Sequence, residues 1–178
     1  MPPQPTSIRR VAKPLLGSGR FRSTIALVGF VAICFAVSAI SGAFTASSVG
    51  SWYQQLSKPA FNPPDWVFAP VWTVLYILIA ISGWRIWRHH GHRERCVALG
   101  IYAVQLAVNV AWSGFFFGAQ WIGGGLAVIG FLIPIIAVNV AAFWRIDRRA
   151  AALLVPYFLW VGFAAVLNTA LWRLNSAG

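Results

Sequence analysis

Acidic residues are almost missing from this 178-residue chain: Asp65, Glu94 and Asp147 are all there are, against 14 lysines and arginines. Methionine occurs only as Met1, and histidine only at positions 89, 90 and 92. No Asp, Glu, Lys or His lies well inside any of the long apolar runs. Proton relays and ion-coupled transporters normally carry such an intramembrane group, so that class is disfavoured. Axial ligation of a haem iron by an internal His or Met is excluded as well. The spans contain no nucleophile–base pair and no metal-ligand set, which leaves hydrolytic chemistry without candidates. His89 and His92 could share a metal only if the second span continued through them. A solvated basic loop accounts for RHHGHRER at 88–95 with less, and no metal site is predicted. Two cysteines, Cys34 and Cys96, lie in or at the edge of different spans near opposite depths and read as small buried hydrophobes, not as a disulfide framework.

What is abundant is apolar. The chain is 59% hydrophobic and 10% charged, with ten tryptophans and a positive mean hydropathy, a composition of membrane proteins. Windows of roughly 18 or more apolar residues give five spans: Ile25 to about Thr45, Val67–Trp84, Val97–Phe117, Ile122–Phe143 and Ala151–Trp172. The expected fold is an all-α, five-transmembrane-helix bundle in one domain, residues 25–175, after a disordered basic tail, residues 1–24. The first run exceeds the 7–15 residues of a signal-peptide core and is read as a retained span.

Charge placement orients the bundle. Arg9, Arg10, Lys13, Arg20 and Arg22 precede the first span; Arg85, Arg88, Arg93 and Arg95 follow the second; Arg145, Arg148 and Arg149 follow the fourth. Only Lys58 and Arg173 fall on the other side. The positive-inside rule puts the N-terminus in the cytoplasm and the C-terminus outside. The net charge of +11 is thus topological. Its cations are scattered through juxtamembrane segments, which suits anionic lipid headgroups and not nucleic acid.

Polar uncharged residues recur at helical spacing. Gln105, Asn109 and Ser113 stand at i, i+4 and i+8 on one face of the third span, flanked by Tyr102 and Trp112. Trp160, Ala164 and Asn168 repeat the spacing on the fifth span, Trp72 and Tyr76 on the second, and Asn139 adds an amide on the fourth. An amide facing lipid has no partner, so these stripes face the interior, either as a pocket or as interhelical hydrogen bonds. Trp52, Trp84, Trp87, Trp121, Trp144 and Trp172 sit near span ends and read as an interfacial belt. Asn62, Pro63 and Asp65 have the pattern of a helix start, with Asn62 as the cap. Pro70, Pro134 and Pro156 are expected to kink their helices. Gly114/Gly118, Ser38/Gly42 and Ala39/Ala43 are close-packing pairs that serve a homodimer or the bundle itself.

Three ordered segments, WYQQLSKPAFNPPDWVFAPVWTVLY at 52–76, QLAVNVAWS at 105–113 and LVPYFLWVGFAAVLNTALWRLN at 154–175, resemble the TspO/MBR family over residues 25–175. The resemblance implies a five-helix bundle with a cavity under the first loop, which acts as a lid, and binding of porphyrins such as protoporphyrin IX or haem as ligands, with no obligatory cofactor. By motif position it implies ligand contacts from Trp52, Tyr53, Trp72, Tyr76, Gln105, Asn109, Ser113, Trp160, Ala164, Leu167 and Asn168, and it moves Trp52 out of the belt. Lys58, the one lysine of the lid, is expected at the mouth to meet ligand carboxylates. The function implied is a porphyrin-binding sensor. Its alternatives are light-dependent porphyrin degradation, with Trp72 and Trp160 as redox partners, and transport of porphyrins or lipid-like molecules. The tyrosine of the sterol motif found in mammalian members is absent between Asn168 and Arg173.

Overall fold

The computed structural model describes residues 16–176. Among them, five helices are long and apolar enough to cross a membrane: α1 (Leu16–Val49), α3 (Phe68–Trp87), α4 (Arg95–Ser113), α5 (Ile122–Ile146) and α6 (Arg148–Asn175). A one-turn helix, α2 (Trp52–Gln55), lies in the connection between α1 and α3. Around the bundle the order is α1, α3, α6, α5, α4, with α4 closing back on α1. The expected five-helix architecture is the observed one.

Four local details differ from the sequence expectation. Residues 16–24, assigned to the tail, already belong to α1, because arginines at a helix end can lie along the apolar surface with their heads in water; Arg9, Arg10 and Lys13 lie outside the described residues. Asn62 does not cap. Its Oδ1 accepts from the Tyr53 hydroxyl at 2.7 Å, Pro64 stays extended, and the helical turn starts at Asp65. Pro70 falls in the first turn of α3, where its missing N–H has no intrahelical acceptor to lose, so it is no kink; Pro134 and Pro156 do sit inside α5 and α6. Cys34 is buried, but Cys96 is exposed because the first turn of α4 turns it away from the bundle.

At the basic end the turn between α5 and α6 is fixed by Asp147. It caps α6 by accepting from the Arg149 and Ala150 amides at 2.9 and 3.3 Å and pairs with Arg85 of α3 at 2.7 Å. Partial burial raises its pKa, but the Ala150 and Arg149 amides and Arg85 outweigh that and leave it below the usual carboxylate value. The stabilisation is therefore complete above the ordinary carboxylate range and disappears as pH falls through the lower folded value. Asp147→Ala is expected to cost about 2 kcal/mol, since it removes both a cap and a counter-ion. Asp147→Asn keeps the cap and should cost less; equal losses in thermal unfolding would assign the whole effect to the ion pair.

Candidate ligand cavity

Near the opposite end of the bundle lies a cavity of about 360 Å³. Ser38, Ser41, Gly42 and Thr45 of α1 form one wall and Phe68, Trp72 and Tyr76 of α3 the next. Asn109, Trp112 and Ser113 of α4 and Trp160 and Ala164 of α6 complete it, with Val49 and Asp65 at the lid end. The i, i+4 stripes converge because each occupies the inward face of its helix. Tyr76 donates to Asn109 Oδ1 at 2.7 Å, and Asn109 Nδ2 donates to the Tyr157 hydroxyl at 3.3 Å, tying α3, α4 and α6 together beside the cavity. Trp72 is surrounded by aromatic rings: Tyr76 at 5.5 Å, Tyr157 at 6.3 Å and Trp112 at 6.5 Å between centroids. Ser41 and Trp112 line this space, and the buried Ser41 hydroxyl and Trp112 indole N–H beside it lack a hydrogen-bond partner. A buried donor without an acceptor is costly, so a ligand that brought acceptors would relieve it.

Six of the twelve residues named from the sequence line the cavity: Trp72, Tyr76, Asn109, Ser113, Trp160 and Ala164. The others are placed elsewhere. Gln105 is wholly buried one turn along α4, with neither polar atom partnered. Asn168 faces α5; with its amide oriented to satisfy both groups, it donates to the Ile122 carbonyl at 3.1 Å and accepts from the Leu126 N–H at 3.0 Å. Leu167 is buried in the core. Trp52 and Tyr53 belong to the lid and rest on Phe116, at 5.9 and 6.4 Å. Lys58 is not among the residues that line the cavity. Its Nζ lies 4.7 Å from the Tyr53 ring centroid and donates to Gln54 Oε1 at 3.1 Å.

Two contributors escaped the sequence reading. The α1 wall follows i, i+3, i+4, i+7 spacing of small residues, Ser38, Ser41, Gly42 and Thr45, of which Ser38 and Gly42 registered only as a packing pair. The second is the end of α4, where residues Gly114–Gly118 form a π-helical turn with Ala119 N–H bonded to the Gly114 carbonyl at 2.7 Å. The turn presents Phe116 and Phe117 as the platform on which the lid sits. Its two glycines face Phe44 of α1: a Cβ on Gly118 would stand 2.9 Å from that ring, so this pair packs the bundle from within.

The lid is held by more than apolar contact. Asn175, at the end of α6, clasps the Ser57 backbone by accepting its N–H at 2.9 Å and donating to its carbonyl at 3.0 Å. Asn175→Ala should release this clasp, at a cost of roughly 1 kcal/mol. About fivefold faster hydrogen exchange at the Ser57 amide is the expected readout. Burial, and secondarily the Asp65 carboxylate, push the Tyr53 hydroxyl up to about 12. Its contribution to lid closure is thus complete below the ordinary phenol value near 10 and is lost as pH rises through about 12. Lid protection factors, which divide out the intrinsic hydroxide-catalysed exchange rate, should fall across that window and be flat below it.

Comparison with known proteins agrees with this architecture. A profile of the TspO/MBR family matches residues 30–173. Protein CrtK of Rhodobacter capsulatus is 39% identical over 146 residues, covering 81% of this chain and 91% of that protein. Tryptophan-rich protein TspO of Chlorobaculum tepidum is 38% identical over 152 residues, 82% of this chain and 92% of the relative. The translocator protein of Homo sapiens is 37% identical over 126 residues, 70% and 75% respectively. Five apolar helices and a match over most of its length make this chain a member of the TspO/MBR family and an integral multi-pass membrane protein.

Proposed function

We propose that the protein is a membrane receptor that takes up a porphyrin in the cavity beneath the lid and signals its occupancy by a change in lid state. The observation that carries this reading is the cavity itself: a space lined by three tryptophans, with two unpartnered buried donors on its lining residues. A flat aromatic ligand gains from offset contact with such rings, ~0.5–1.5 kcal/mol per pair beyond burial, and carbonyl or carboxylate oxygens would satisfy the donors. At 360 Å³ the space lies at the small end of ligand pockets, so a macrocycle fits only once the cavity widens, which lifting of the lid from Phe116 would allow. That requirement makes lid position a readout of occupancy.

Titration with protoporphyrin IX tests the reading through the fluorescence of the ten tryptophans. Saturable quenching at one ligand per chain is expected; quenching that rises linearly, without saturation, would refute it. The aromatic cluster of Trp72 with Trp112, Tyr76 and Tyr157 also favours a second reading, light-dependent oxidation of the porphyrin by dioxygen, which accepts the electrons the pigment loses, with Trp72 and Trp160 as redox partners beside the ring. Under illumination Trp72→Phe should then slow bleaching of the bound pigment, and an unchanged rate would remove this activity. The cluster of arginines at the end opposite the lid supports a cytoplasmic N-terminus. A homodimer, if formed, has Ala39 and Ala43 on the exposed face of α1 as its close-packing pair, since Gly114 and Gly118 face inward.

A further inference from the structure

At the basic end, far from the lid, α1 and α3 enclose a second space, a groove of about 770 Å³ lined by Arg20, Arg22, Ser23, Thr24, Trp84, Trp87, Arg88 and His90 among others. Its polar walls are built. Trp84 donates its indole N–H to the Ser23 carbonyl at 2.9 Å, the Arg88 guanidinium lies 4.8 Å from the Trp84 ring centroid, and His90 stands edge-on to Trp87 at 4.6 Å. Three guanidinium groups, from Arg20, Arg22 and Arg88, thus border one groove, and no carboxylate among the described residues neutralises them. Of the three acidic side chains in the whole sequence, Asp147 is engaged by Arg85 and His89 and Glu94 lies 3.9 Å from Arg145. Asp65 belongs to the lid end, bonded to Gln54. Residues 1–15 contain no acidic residue.

A second observation identifies the occupant. Arg22 and Trp87 also border an adjoining groove of about 460 Å³ whose other walls are Ile25, Ala26, Gly29, Phe30 and Ile33 of α1. It is apolar and runs along the membrane-facing side of the helix, and Gly29 leaves a notch there with no atom within 4 Å of where a Cβ would stand. A polar cationic groove continuous with an apolar one matches an amphiphile, with an oxyanion at one end and a hydrocarbon chain at the other. Guanidinium groups bind phosphate oxygens in a two-pronged manner, and basic pockets between helices at this face of a membrane bind anionic headgroups.

We propose that the α1–α3 groove is a binding site for one anionic phospholipid, its phosphate held by Arg20, Arg22 and Arg88 and an acyl chain laid in the notch at Gly29. The site is distinct from the lidded cavity and does not depend on what that cavity binds.

Native mass spectrometry and thermal unfolding of the purified full chain in a maltoside detergent test the assignment, with phosphatidylglycerol, phosphatidylcholine and inorganic phosphate as probes. Phosphatidylglycerol should be retained at one per chain at least tenfold more tightly than phosphatidylcholine. Arg22→Gln/Arg88→Gln should weaken it roughly fivefold per cation removed. A control pair on the same face, Arg93→Gln/Arg149→Gln, should leave it unchanged. Gly29→Leu, a favourable change for an exposed helical position, should weaken both lipids alike without altering their ratio. Equal retention of the two lipids, or equal losses in the control pair, would overturn the site. Stabilisation by inorganic phosphate that matches the lipid and is insensitive to Gly29→Leu would overturn the lipid assignment and leave a site for a soluble phosphate. The single Arg88→Gln variant, with its unfolding transition measured alongside, separates loss of binding from loss of fold.

Discussion

Ala164→Phe is expected to abolish ligand uptake while leaving the bundle folded. Ala164 lines the cavity on α6, one turn from Trp160 and across from the α1 wall of Ser38, Ser41 and Gly42. A phenyl group at that point projects into space that is already there, so it meets void before it meets packed atoms, and overpacking costs of about 1–3 kcal/mol are offset by the apolar surface it buries. The same ring occupies the volume a flat ligand needs, and a 360 Å³ space cannot hold both. Affinity for protoporphyrin IX should fall at least about a hundredfold, equivalent to roughly 3 kcal/mol, with the unfolding temperature unchanged or raised. Unaltered affinity in a folded variant would place the ligand elsewhere. Loss of affinity with a collapsed unfolding transition would instead make Ala164 a packing position.

The second large effect is expected from Asn109→Leu, and it falls on stability first. Asn109 accepts from Tyr76 and donates to Tyr157, so a leucine strands two hydroxyl groups at once. Their fates differ. Tyr76 borders the cavity and its hydroxyl can turn to a water there, whereas Tyr157 is fully buried and has no such recourse. The cost therefore comes mainly from Tyr157 and should be about 1–3 kcal/mol, above the ~0.6 kcal/mol average for a single interhelical hydrogen bond in a membrane bundle. Tyr76→Phe alone should cost less than Asn109→Leu, and adding it to Asn109→Leu should cost little more, because the bond it removes is already gone. Additive losses in the double variant would mean that the two residues act independently.

How much of this site was legible beforehand follows from what helical periodicity encodes. A repeat of polar residues at i, i+4 and i+8 states that Gln105, Asn109 and Ser113 share a face, and that this face is internal. It does not state how deep along the face the ligand space runs. Gln105 and Asn109 are equally buried, yet only Asn109 reaches the cavity, because α3 and α6 leave room at one level and not a turn below. On α6 the same limit separates Trp160 and Ala164, which line the cavity, from Asn168, whose amide is drawn to the Ile122 carbonyl and the Leu126 N–H of α5. Lys58 was expected at the mouth on charge alone, but its position is decided by the Tyr53 ring and by Gln54, neighbours that a one-turn helix in the lid brings together.

By itself the sequence determined the class of solvent, the five spans, the basic end and the inward stripe of each helix, since these depend on residues within a turn or two of one another and on the cost of placing polar groups in lipid. Tertiary structure alone decided which stripes meet. The order of helices around the bundle set α1 against α3 and so added Ser38, Ser41 and Thr45 to the cavity. The π-turn at Gly114–Gly118 turned a close-packing pair inward onto Phe44. The clasp of Ser57 by Asn175 joins residues 118 positions apart. Contacts of that range depend on the relative rotation and depth of whole helices, which are settled by packing across the bundle and leave no periodic trace in any single segment.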